Sequence, residues 1–268
     1  MNNADTNKVL ILYFTGTGNS KRIADIVKDV FTEIGREVTL ASMTVFSPED
    51  VSEYPLIGIV YPVYAFDAPR YVQRFIRMLP PAAQGTKTFL ITAAAGQEGW
   101  ALVNPRKLLE KKGYEVCNTA VVMMPENWVT FVDPPVGSVL EKILTAGEKR
   151  VKEIVRDFIC GNNYKKSLAL HGIKKVVFGF VRFAFHNIGI KRLWMYFRVN
   201  NKCTSCGICA QQCPVNAIKM VDEKPQWSRL CEQCMRCMNL CPEQAVEQLE
   251  FLGHASKRGR YCEPHFVP

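Results

Sequence analysis

Lys8-Val9-Leu10-Ile11-Leu12-Tyr13-Phe14 runs directly into Thr15-Gly16-Thr17-Gly18-Asn19-Ser20, and behind that loop Ile23, Ala24, Ile26, Val27, Val30 and Phe31 recur at helical spacing before a stop at Gly35. An apolar run rich in β formers, a loop of hydroxyls and glycines, then a helix is the layout of a phosphate site. Glycines let the backbone approach an anion, hydroxyls and amides donate to its oxygens, and the helix N-terminus adds partial positive charge. The plain alternative is a Gly/Thr turn that holds no ligand. What is missing narrows the phosphate. A dinucleotide fingerprint G-x-G-x-x-G would need a third glycine where Lys21 stands, and the P-loop pattern G-x4-G-K-[ST] is absent.

Downstream, strand-like and helix-like segments alternate. The pattern predicts strands at 38–41, 56–61, 89–93 and 119–124, and helices near 69–79, 102–112 and 138–158. Such alternation implies an α/β domain with a parallel sheet covered on both faces, and five strands fit the doubly wound order 2-1-3-4-5. A ligand then belongs at the carboxyl ends of the strands, by the switch point. Three loops end there: 61–69 with Pro62, Val63, Tyr64, Ala65 and Phe66; 94–97 with Ala94, Ala95 and Gly96; and 125–128 with Asn127 and Trp128.

The run 15–20 resembles the flavodoxin phosphate loop T-x-T-G-x-[TS], which in that family wraps the phosphate of FMN without a charged side chain. The resemblance covers about residues 7–160 and implies that these three loops frame the flavin. Flavodoxins commonly sandwich the ring between aromatics of the first two loops. Here the first offers Tyr64 and Phe66, whereas the second offers only small residues until Trp100. We therefore expect one flavin face to be left uncovered by this domain, either open to a reactant or covered by another segment, with Trp128 a candidate cover.

Eight of the eleven cysteines repeat one pattern near the C-terminus: Cys203, Cys206, Cys209, Cys213 with Pro214, and Cys231, Cys234, Cys237, Cys241 with Pro242. In the run C-x2-C-x2-C-x3-C-P the fourth cysteine ligates the other 4Fe-4S cluster. Cys203, Cys206, Cys209 and Cys241 are thus assigned to one cube, and Cys231, Cys234, Cys237 and Cys213 to the second. A structural zinc site uses four ligands, usually as two close pairs, which leaves the third cysteine and the proline of each run unexplained. Disulfides need an oxidising compartment, and the polar N-terminus has no apolar signal region, so a cytoplasmic setting is expected. The stretch 200–248 resembles a two-cluster bacterial-type ferredoxin. Cys117, Cys160 and Cys262 read as small buried hydrophobes.

The formal net charge is +9. Residues 1–160 hold 18 basic and 18 acidic side chains and residues 203–268 hold 7 of each, so all the excess lies in 161–202, with nine Lys or Arg and no Asp or Glu. Two cubes and a phosphate monoester would offset most of that charge, which removes most of the support for nucleic-acid binding. The segment 161–199 is a basic, aromatic connector, interrupted by Arg182, His186, Lys191 and Arg192 too often to span a membrane. It could lie on an anionic membrane surface, but the preferred reading packs its aromatics in the seam between two domains while its cations offset cofactor charge. Arg236, between Cys234 and Cys237, either acts on its cluster through charge or points to solvent. The tail 249–268 reads as a surface strap.

Together the two halves look like the flavodoxin-ferredoxin fusion proteins of anaerobes, which carry electrons among redox partner proteins. The other reading is a flavin-dependent reductase of a small molecule fed by the clusters. The sequence leans to the carrier, since it shows no acid-base constellation and no nicotinamide fingerprint.

Overall fold

Five apolar stretches build a single parallel sheet in this computed structural model, which describes residues 7–83, 85–162, 172–249 and 257–268, with only the backbone of 173–175. The strands are β1 (Lys8–Tyr13), β2 (Glu37–Ser42), β3 (Leu56–Pro62), β4 (Lys87–Ala94) and β5 (Glu115–Met123). They lie in the order β2-β1-β3-β4-β5 with every neighbouring pair parallel, the flavodoxin-like doubly wound order. Because helices cover both faces, the central strands are apolar throughout rather than alternating; Val9, Leu10, Ile11 and Leu12 are all fully buried.

Helices α1 (Asn19–Glu33) and α4 (Gly137–Ile159) cover one face, α2 (Arg70–Met78) and α3 (Val103–Lys111) the other. Each presents a buried stripe at helical spacing: Ile23, Ala24, Val27, Val30 and Phe31 on α1, and Val72, Phe75 and Ile76 on α2. The fifth strand begins at Glu115, four residues ahead of the apolar run that predicted it. Glu115, Cys117 and Asn118 interrupt the apolar pattern there, and the ladder with β4 shifts register between Thr88 and Phe89.

The connector folds as α5 (Gly172–Ala184), a π-helical turn (Phe185–Gly189), the short α6 (Ile190–Arg192) and a 3-10 turn (Leu193–Tyr196). A small α+β unit follows. In it β6 (Phe197–Val199) pairs with β9 (Val246–Gln248), β7 (Ile218–Val221) pairs with β8 (Lys224–Trp227), and α7 (Ile208–Gln211) and α8 (Arg236–Asn239) each follow two cysteines of a run and carry the third. The unit is an internal repeat. Left-handed backbone recurs at Ser205, Gly207 and Asn216 and again, 28 positions on, at Gln233, Met235 and Gln244. Those turns wind each cysteine run into a tight loop. Among the described residues no helix is long and apolar enough to cross a membrane.

Candidate flavin and cluster site

The phosphate-loop residues are buried at the carboxyl end of β1. Gly18 takes φ 103°, a left-handed conformation natural to glycine, and turns the chain into α1. Thr15 Oγ1 accepts from the Gly18 amide at 3.1 Å, and Asn127 Nδ2 donates to Thr17 Oγ1 at 2.8 Å. The first turn of α1 carries no acidic side chain, so its positive end is unneutralised. Ser20 Oγ is fully buried and has no hydrogen-bond partner. A buried orphan hydroxyl beside free helix amides fits a phosphate, which would supply the missing acceptor. Thr15, Gly16, Thr17, Asn19 and Ser20 line one cleft with Pro62, Val63, Tyr64, Ala94, Ala95 and Asn127. Gly18 faces away from it, toward the C-terminal tail.

That cleft continues into a cavity of about 270 Å³. Its walls include Tyr64, Ala65, Phe66, Gly96, Asn127 and Trp128, so the structure brings the three expected loops together. Asp67 fixes the first of them, accepting from the Ala68 amide at 2.8 Å, Asn104 Nδ2 at 2.8 Å and Arg182 Nε at 2.6 Å. Ala65 and Phe66 sit at φ 44° and 66°, strain that the bonded surroundings hold in place. Tyr64 is buried, its hydroxyl unpartnered and beside Gly16 and Cys234; burial pushes its phenol well above the ordinary range.

The remaining wall comes from residues that sequence reasoning missed. Val181 and Phe185 of the connector and Gln233 of the second cysteine run close the cavity. Phe178 packs against Phe66 with centroids 4.7 Å apart and the rings tilted by 33°, and Phe185 meets Trp128 edge-on at 5.6 Å. Trp128 Nε1 is buried there without a partner. The signal was available, since Phe178, Val181, Arg182 and Phe185 recur at helical spacing along the connector. Its opposite face is exposed: Phe180 is 71% and Phe183 59% accessible. The connector's aromatics are therefore split between seam and surface.

The eight cysteines gather as two groups, each drawing three from one run and one from the other. Cys203, Cys206, Cys209 and Cys241 line one cavity, and the Cys209 thiol feels those of Cys241, Cys206 and Cys203. The thiols of Cys231, Cys234 and Cys237 are coupled to one another and to Cys213. Matching amide bonds aim the crossing sulfurs: Ala217 N donates to Cys213 Sγ and Ala245 N to Cys241 Sγ, each at 3.2 Å. Burial, above all, pushes the Cys209 and Cys234 thiols up to about 11. Such sulfurs ionise only against compensating positive charge, which cluster iron provides. Among the described residues no three His, Cys, Asp or Glu converge on a single-ion site; a cube instead spreads its four thiolates over four irons.

The two groups differ in depth. Cys206 is exposed, whereas Cys231 and Cys234 are buried, Cys234 against the phosphate loop. A Cβ added to Gly16 would lie 2.6 Å from the Cys234 carbonyl oxygen, so only glycine permits that approach. Arg236 does not point to solvent: its charge favours the ionised Cys234 thiol, against the effect of burial. Its guanidinium donates to Gly16 O at 2.6 Å, Thr15 O at 2.9 Å and Gln212 O at 2.9 Å, clamping the phosphate loop to both cysteine runs. The tail straps the same place. Tyr261 OH donates to Asn19 Oδ1 at 2.6 Å, Glu263 N to Thr17 O at 2.8 Å, and Arg22 pairs with Glu263 at 2.5 Å. Of the three remaining cysteines Cys117 is buried, but Cys160 is exposed and Cys262 half-buried. Cys160 misses the core because it caps α4 at its solvent-facing end.

The 4Fe-4S binding domain family model matches residues 197–219, which include the whole first cysteine run. No curated protein matches the chain. Among solved structures it is similar to oxidised flavodoxin 2 of Bacillus cereus, at 18% identity over 56% of this chain and 99% of that one with a TM-score of 0.43. The two-electron reduced flavodoxin of Megasphaera elsdenii matches at 20% identity over 54% and 98%, with a TM-score of 0.39. An azoreductase of Bacillus anthracis matches at 13% identity over 57% and 100%, with a TM-score of 0.42.

Proposed function

We propose that this chain is an electron-transfer iron-sulfur flavoprotein that holds two 4Fe-4S cubes and one FMN and exchanges electrons with redox partner proteins. The observation that carries the reading is the contact between Gly16 of the phosphate loop and Cys234 of the second cysteine run, clamped by Arg236. It sets a flavin-type site directly against a cluster-type site.

In this reading Cys203, Cys206, Cys209 and Cys241 hold an outer cube, and Cys231, Cys234, Cys237 and Cys213 hold an inner one. Thr15, Thr17, Ser20 and the amides opening α1 hold the FMN phosphate, while Tyr64, Phe66, Gly96, Asn127 and Trp128 frame its ring. Cubes exchange one electron at a time and a flavin one or two, so the pairing joins one-electron and two-electron partners. Val181, Phe185 and Gln233 line one side of the ring cavity. A carrier is preferred to a reductase of a small molecule because the chain shows no acid-base constellation and no nicotinamide fingerprint.

The test is rapid anaerobic mixing with less than one equivalent of dithionite, followed by observation of how charge redistributes between cluster and flavin absorbance. The expected redistribution rate is independent of protein concentration, as befits transfer within one chain. A rate that rises in proportion to protein concentration would contradict the proposal.

A further inference from the structure

Beside the inner cysteine group lies a second, open basin of about 540 Å³ that takes no part in the flavin site. Three segments build it: α2 with Arg70, Arg74 and Arg77, the connector with Arg182 and His186, and the start of the second cysteine run with Arg229, Leu230 and Glu232. Its two acids are already engaged. Asp67 pairs with Arg182 at 2.6 Å and Glu232 with Arg70 at 3.5 Å. Arg74, Arg77 and Arg229 are exposed and form no ion pair among the described residues. Arg70 and Arg74 are four apart on α2 and Arg77 three further on, so the guanidinium groups form one stripe along that helix.

The floor of the basin is the loop that carries the inner cysteines. Leu230 and Glu232 flank Cys231, and Arg70 Nη2 donates to the Cys231 carbonyl at 2.9 Å. Leu230 is 48% exposed at this edge, an apolar contact ringed by arginines. Arginine enriched around an apolar centre is the composition of a protein-docking surface. A cationic stripe with unpaired guanidinium groups at Arg74 and Arg77 selects a partner of opposite sign and speeds encounter with it. The outer cysteine group has no such surface: Lys202, Lys224, Asp222, Glu223 and Glu243 are all exposed around it and mix both signs.

We infer that this basin is the docking surface for an acidic electron-transfer protein, seated so that its redox centre faces the inner cysteine group. The inference rests on the carrier reading above and adds the partner's charge and the place of contact. The two open ends then differ in selectivity: the basin takes acidic carriers, and the mixed-charge face at Cys206 serves another partner.

The experiment uses the cofactor-loaded full chain and, as probe, a purified acidic bacterial ferredoxin. Binding is measured by calorimetry at low and high salt, and flavin reduction by the dithionite-reduced ferredoxin is followed beside reduction by a reduced viologen. The charge reversal R74E/R77E/R229E should weaken binding and slow ferredoxin-driven reduction by about tenfold or more at low salt, and flatten the salt dependence. Viologen-driven reduction and iron content should be unchanged. The neutral variant R74Q/R77Q/R229Q should fall between. Equal ferredoxin binding and equal salt dependence in wild type and reversal would overturn the inference, as would binding to anionic vesicles without binding to ferredoxin. If the viologen fails to reduce the wild-type flavin, the carrier reading fails, while the calorimetry still decides the basin.

Discussion

Gly16 and Arg236 decide whether the two cofactor sites meet. Gly16 allows the phosphate loop to touch the Cys234 carbonyl, and G16A puts a methyl where backbone already stands. Overpacking of this kind costs about 1–3 kcal/mol, so G16A should lower the thermal midpoint and yield protein with less flavin and less inner-group iron, measured on the same sample. Among the described residues Arg236 has no partner carboxylate; it donates to three carbonyls. Hydrogen bonds to a charged group contribute about 1.5–3 kcal/mol each. With part of that lost to solvent, R236Q should weaken FMN binding about tenfold or more, read from flavin fluorescence. The crossing cysteines give the sharpest residue-level outcome. C213S lies in the first run but should spare the outer cube and abolish the inner one, whereas C206S should do the reverse; electron paramagnetic resonance of the reduced variants separates the two. The cysteine spacing made these ligands legible, because motif geometry is local. Arg236 was not, since the carbonyls it bonds lie 220 and 221 positions away.

The elements divide along the same line. Strands, helices and the 2-1-3-4-5 order were legible because each announces itself by period or by an apolar run, and the fifth strand was misjudged only where Cys117 and Asn118 break that run. The connector and tail were not legible, since their meaning lies in what they touch. Tyr261 reaches Asn19 across 242 positions, and Arg182 reaches Asp67 across 115. The tail acts as a strap on the phosphate loop, so a chain ending at residue 256 should fold with both cubes yet release FMN faster, by about the tenfold that one or two lost hydrogen bonds imply. Dissociation kinetics against excess apoflavodoxin would check this, with an unchanged off-rate contradicting it. Phe185 walls the ring cavity, and F185A should make flavin fluorescence more readily quenched by iodide while leaving iron content unchanged.

At the scale of the molecule, a parallel α/β domain supplies a phosphate cradle, a repeated cysteine unit supplies two crossed thiol groups, and connector and tail hold them face to face. Of the cationic excess of 161–202, Arg182 falls beside the flavin-type cavity, where it pairs with Asp67. The crossed ligands join the two halves of the cysteine unit, so loss of one cube should lower the thermal midpoint of the whole unit while the other cube stays loaded. The account stands most directly on one measurement: iron, sulfide, zinc and flavin quantified on a single anaerobic preparation. About eight irons, about eight sulfides and one FMN per chain are expected; two zincs without flavin would contradict the account.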